Sequence, residues 1–213
     1  SCERRSVTGE PPRNGAAYSV GTWTATAPAR YRVAQVFFTL NAALDDSGPD
    51  VFAGAFNGLF DGTVNGNGDE VSIKKALDVG AAGIIAPLIN SADQAAEVVR
   101  HAKYAPLGTR GVGVGRAHGY GFKFQEYVAR ANDETVVVVQ AEHIDAVNNI
   151  EAIVQVPGVD AVLVGPYDLS ASLGRLGEVT HPDVMSAIER VTQACRVVNM
   201  PLGIFGMSAE AVR

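Results

Sequence analysis

The sequence predicts an α/β fold of the (β/α)8 barrel type. Three observations carry that expectation. From about residue 62 onward, short apolar runs alternate with amphipathic helical patterns. The stretch 136–174, VVVVQAEHIDAVNNIEAIVQVPGVDAVLVGPYDLSASLG, reads as two almost wholly apolar strands joined by a helix, which is what a parallel sheet buried on both faces requires. No Gly-rich dinucleotide fingerprint follows a first strand, which favours a barrel over a doubly wound sheet; GVGVG at 111–115 is a bare glycine alternation without the flanking strand and helix of a phosphate loop.

The elements follow in order. Residues 1–61 read as a divergent N-terminal segment. Within it, 2–13 is a charged, Pro/Gly-containing arm, GTWTAT at 21–26 a first strand, 33–40 strand or helix, and 51–60 an apolar run of undefined type. The region 62–213 is the barrel-like part. Val64 closes a strand, and NGNGDE leads into a helix whose apolar positions are Val71, Ile73, Ala76 and Leu77, stopped at Gly80. GIIAP at 83–87 is a buried strand. Ser91 caps the next helix, with Ala95, Val98 and Val99 facing inward. A long loop over 106–121 precedes a helix near 124–131. Ile144, Val147, Ile150, Ile153 and Val154 recur at helical spacing until Pro157 and Gly158 stop them. Val159 to Val164 is a strand, 182–199 a long helix, and 201–205 a further strand.

At 213 residues, with 47% hydrophobic and 19% charged residues, the chain has the composition of a soluble globular protein. A net charge of -6 without a basic run argues against nucleic acid, and no segment approaches a membrane span. Two cysteines are too few for a disulfide framework, so a cytoplasmic chain is expected.

The chemistry concentrates where the apolar strands end. Glu142 and Asp168 each stand just past a strand, at the edge where ligands of parallel α/β folds sit. Carboxylates from neighbouring strands suit one octahedral Mg²⁺ or Mn²⁺; taken alone, each is also an ordinary solvated strand-end acid. Gln140 shares a strand face with Glu142, whereas His143 faces the other way. In the 106–121 loop, Arg116 suits a second substrate carboxylate or a purely structural bond to a backbone carbonyl, and Arg110, His118 and Tyr120 lie in the same loop.

The segments LDVGAAGIIAPLINSADQA, PLGTRGVGVGRAHGYG, VVVQAEH and GVDAVLVGPYDLSASLG, with HPDV after them, resemble the HpcH/HpaI aldolase family, the metal-dependent class II pyruvate aldolases related to the citrate lyase β-chain. The resemblance covers about residues 64–206. It implies a (β/α)8 barrel, a divalent metal on Glu142 and Asp168, and Gln140 as a catalytic residue beside the keto acid. Substrate would be bound by Gly165 with the backbone N–H groups of Tyr167 and Asp168, and Arg116 would meet a second carboxylate. The implied activity is carbon–carbon lysis of 2-oxo acids through a pyruvate enolate. The substrates would be a pyruvate- or oxaloacetate-type acid and an aldehyde, and the complete protein would be a homo-oligomer. A CoA-thioester lyase ranks lower, because nothing suggests a CoA phosphate site. The family's Glu-His-Gly segment has no counterpart, since no histidine precedes His101, and Thr63 or Val64 stands where the family has an enolate-stabilising Arg. The barrel is therefore read as incomplete, with a divergent opening and no eighth βα unit. The alternative function is a silent barrel that binds metal and keto acid without turnover.

Overall fold

The computed structural model describes residues 4–6, 21–23 and 69–206. The readings at Val64, at 33–40 and at 51–60, and the boundary between 61 and 62, lie outside them.

The described residues form an α/β fold around a four-stranded parallel sheet whose strands follow the order of the chain. Its strands are β3 (Gly83–Ala86), β4 (Val136–Ala141), β5 (Ala161–Val164) and β6 (Leu202–Ile204). Gly83 pairs with Val136, Val138 with Ala161 and Val162 with Leu202. The β-branched run 136–139 favours this pleated, doubly covered environment. Sequential order with helical crossovers is the arc expected of a (β/α) barrel.

The helices are α1 (Glu70–Asp78), α2 (Ala92–Ala102), α3 (Phe124–Glu134), α4 (Ile144–Asn148), α5 (Ile150–Ile153), α6 (Pro166–Ser172) and α7 (Pro182–Val197). Asp69 caps α1 by accepting from the amides of Val71 and Ser72, and Ser91 caps α2 by accepting from Gln94. Strand side chains alternate between two apolar clusters. Ile84, Ala86, Val137, Val139, Val162 and Val164 join the helices in the main core, whereas Ile85, Val138 and Leu163 pack on the opposite face. Gln140, two residues past Val138, belongs to that opposite face, the one a barrel turns inward.

Three expectations need correction. Val71 is not part of the buried face of α1. It is 58% exposed while Ile73, Ala76 and Leu77 are buried, because a residue two positions before Ile73 lies on the far side of a helix. The single helix expected over 144–154 is two, broken at Asn149 (φ -106, ψ 7). Asparagine's side chain competes for backbone partners, and this one is engaged elsewhere. Finally, β2 (Gly21–Trp23) is not a barrel strand. It pairs antiparallel with β1 (Arg4–Ser6), part of the expected arm, in a separate two-stranded sheet. A short β-prone run carries no signal of which partner it will take.

Candidate active site

Glu142 directly follows the last residue of β4 and is 5% exposed. A carboxylate so placed must be held by donors. The backbone N–H of Leu88, just past β3, donates to its Oε1 at 2.9 Å. The Gln140 carboxamide donates through Nε2 to its Oε2 at 2.5 Å, as the period of two along a strand allows. Neighbouring β5 brings up Gly165, whose N–H donates to the Ala141 carbonyl at 3.2 Å. A Cβ on Gly165 would lie 2.8 Å from Glu142 Oε2, 2.9 Å from Glu142 Cβ and 3.0 Å from Gln140 Nε2. Only glycine fits there, and its absent side chain leaves room at the carboxylate.

Gly165 is also the N-cap of α6, with Pro166 as its first residue. Proline is suited to that position, since its missing N–H would have no intrahelical partner anyway. The amides of Tyr167 and Asp168 follow in the first turn, where a helix has no acceptors of its own. Asp168 is exposed, and its position three residues past Gly165 sets a second carboxylate after the neighbouring strand. The Ile144 N–H donates to Ser172 Oγ at 3.1 Å, which ties the end of α6 to the segment just past Glu142.

The donor set fits a hard divalent cation. It has one buried, oriented carboxylate, Glu142, beside a glycine cradle that any Cβ would fill, and an exposed acid, Asp168, three residues past that glycine. Among the described residues, no group of three or more His, Cys, Asp or Glu side chains gathers for a metal, at this rim or away from it, so the protein would offer only these two carboxylates. The other coordination positions would fall to water and substrate oxygens.

The 106–121 loop lies elsewhere. The N–H of Arg110 donates to the Lys103 carbonyl at 2.9 Å, and Lys103 Nζ donates to the carbonyls of Asn132 and Thr135, the latter just before β4 begins. The Arg110 guanidinium is buried over the Tyr104 ring, 4.6 Å from its centroid, and donates to Asp78 at 2.9 Å. Asp78 ends α1 shortly before β3 starts and also pairs with Lys74. A Cβ on Gly113 would lie 2.9 Å from Lys74 Nζ, and one on Gly115 would lie 2.9 Å from the Asp78 carbonyl. The alternating glycines thus let a flat strip of backbone lie on α1, which is their structural reason. Burial raises the Tyr104 phenol above its ordinary pKa and lowers the Lys103 ammonium below its own.

Arg116 opens a 3₁₀ turn, 116–121, and is exposed; beside it, Ala117 Cα lies 3.8 Å from where a Gly80 Cβ would stand. Arg116 therefore sits with the helix end that precedes β3, where strands begin. The expected substrate contact of Arg116 is thus not assembled within this chain's rim, since Glu142 and Asp168 stand where strands end. His118 is 1% exposed. Its Nδ1 accepts from the Gly121 N–H at 3.2 Å, its Nε2 lies 2.6 Å from the Gly113 carbonyl, and its ring packs edge-on against Phe124. It is a structural histidine of the loop. His143 caps α4, its Nδ1 accepting from the Asp145 N–H at 3.2 Å.

Leu88 is the site residue that sequence reasoning missed. It acts through its backbone N–H, which no residue type reveals.

An arc of parallel strands with helical crossovers, an oriented buried carboxylate at one strand end, and a glycine and an acid after the next defines a (β/α) fold whose polar groups gather where the strands end. The HpcH/HpaI aldolase/citrate lyase family matches over residues 63–213, and this chain belongs to that family. It is 41% identical over 145 residues to a 2-dehydro-3,6-dideoxy-6-sulfogluconate aldolase of Pseudomonas putida, covering 68% of this chain and 56% of that protein. It is 43% identical over 136 residues to a 4-hydroxy-2-oxovalerate aldolase of Rhodococcus jostii, covering 64% and 52%. An HpcH/HpaI aldolase/citrate lyase family protein from Burkholderia cenocepacia superposes with a TM-score of 0.65 at 39% identity, over 68% of this chain and 58% of that one. The chain spans about half the length of the curated relatives it matches.

Proposed function

We propose that this chain carries the metal-binding part of a class II aldolase, a divalent-metal-dependent carbon–carbon lyase acting on 2-oxo acids. The observation that carries the reading is the fit of Gly165 against Glu142 and Gln140, which leaves room only where a side chain is missing. Glu142, fixed by Leu88 and Gln140, and Asp168 would hold Mg²⁺ or Mn²⁺. When bound, such a cation supplies Lewis-acid polarisation of the 2-oxo acid's carbonyl. The protein's own groups bind and orient. The first-turn amides of Tyr167 and Asp168 favour the substrate carboxylate, because fixed N–H dipoles attract an anion. Gln140, its Nε2 committed to Glu142, acts as an orienting residue and keeps its carbonyl oxygen for a donor on substrate or water. The aldehyde partner, the choice between the two metals and assembly into an oligomer extend this reading.

Calorimetric titration of Mn²⁺ tests it, followed by oxalate, a planar mimic of the pyruvate enolate. The expected result is Mn²⁺-dependent oxalate binding that Glu142→Gln and Asp168→Asn each weaken by about 100-fold or more, since each removes a charged ligand. Unchanged Mn²⁺ affinity in both variants would overturn the shared site.

A second reading is metal and keto-acid binding without rapid aldol turnover. It is favoured by His118, the loop histidine, being sealed away from the rim. A positioned general base contributes about 10²- to 10⁴-fold. Brisk exchange of the pyruvate methyl protons with Mn²⁺ present would reject this second reading.

A further inference from the structure

Leu88 has a left-handed backbone, φ +54, although it is neither glycine nor asparagine. Such a conformation is costly for a branched side chain and persists where the surroundings impose it. Its own side chain is not the reason, for it is 41% exposed. What the conformation places is the N–H, 2.9 Å from Glu142 Oε1. The rest of the 87–90 turn is fixed from several sides. Ile89 is 1% exposed in the core. The Asn90 N–H donates to Gln94 Oε1 at 2.7 Å, and the Asn90 carbonyl accepts from Asn149 Nδ2 at 2.8 Å. Asn149 is the residue at which the 144–154 helix breaks, and it is exposed, so neither core packing nor helix continuity accounts for it.

We propose that the strained 87–90 turn is a positioning device for Glu142, with Leu88 presenting the N–H that orients the carboxylate and Asn149 anchoring the turn from outside. Both are positioning residues, and the assignment rests on Glu142 being a metal ligand. The break between α4 and α5 gains a role: it frees the Asn149 side chain to reach across to the turn. Groups of this kind behind a ligand commonly shift metal affinity by about 10- to 100-fold when altered.

The test uses the full chain and Mn²⁺ alone, with affinity and bound-ion line shape read by electron paramagnetic resonance and stability read by thermal melting. Leu88→Gly adopts positive φ without strain and should lose less affinity than Leu88→Val. Leu88→Val, whose β-branched side chain resists that conformation, should bind Mn²⁺ about tenfold more weakly. Asn149→Ala, at an exposed position, should weaken binding about threefold and broaden the bound Mn²⁺ signal while the fold persists. Wild-type affinity and line shape in both Leu88→Val and Asn149→Ala would overturn the role of the turn and leave the metal site standing. If wild type itself takes up no Mn²⁺, the metal reading falls and this proposal with it. Should Leu88→Val not fold, Asn149→Ala decides.

Discussion

The two ends of this sheet carry similar chemical groups to opposite purposes. Where the strands begin, Lys74, Asp78, Arg110 and His118 cluster under a glycine-rich loop, an inventory that on paper suits anion binding. There the side chains are largely taken up by structure: Arg110 lies over Tyr104 and pairs with Asp78, Asp78 with Lys74, and the His118 ring bonds backbone of its own loop. Where the strands end, the groups are fewer. Glu142 is buried and held by its neighbours, a glycine beside it excludes any side chain, and the first turn of α6 offers amides and a second carboxylate. A site is distinguished less by its count of ionisable residues than by groups aimed at a space that the chain itself does not fill.

The largest test of this contrast is Gly165→Ala. Its Cβ would collide with Glu142 and Gln140, so Mn²⁺ affinity should fall by about 100-fold, with about 1–3 kcal/mol of stability lost to overpacking. Calorimetry and denaturant melts separate the two effects. An alanine variant that binds Mn²⁺ as wild type does would erase the distinction between the ends.

At the other end the pattern should invert. Arg110→Met removes a buried guanidinium from a carboxylate that keeps Lys74 as its partner and should cost about 1 kcal/mol in urea unfolding, while Mn²⁺ affinity in the folded fraction stays within about twofold. A loss of metal binding without a loss of stability would show that the loop serves the site after all.

The smallest effect belongs to Arg116→Ala. The residue is exposed and lies by Ala117 and Gly80, so stability should change by no more than about 0.5 kcal/mol and Mn²⁺-dependent oxalate affinity should not move. A tenfold drop in oxalate affinity would return Arg116 to the substrate site.

What the sequence alone determined follows from periodicity and from residue types at the ends of runs. The existence of the apolar strands β3, β4 and β5, the inward face of α2, the long helix α7, the cap at Ser91, and Glu142 with Gln140 on one strand face could all be read from local pattern. These depend on neighbours a few residues apart, where the pleat and the helical turn impose fixed spacings. The tertiary structure decided the rest. It placed Arg116 away from the acids, because the path of a long loop is set by what it packs against and not by its composition. It split the 144–154 helix at Asn149, whose partner lies 59 residues earlier in the chain. It recruited Leu88 through a backbone N–H, a group every residue but proline possesses and no sequence distinguishes. Contacts between residues far apart in sequence have no period, so only the folded chain could reveal them.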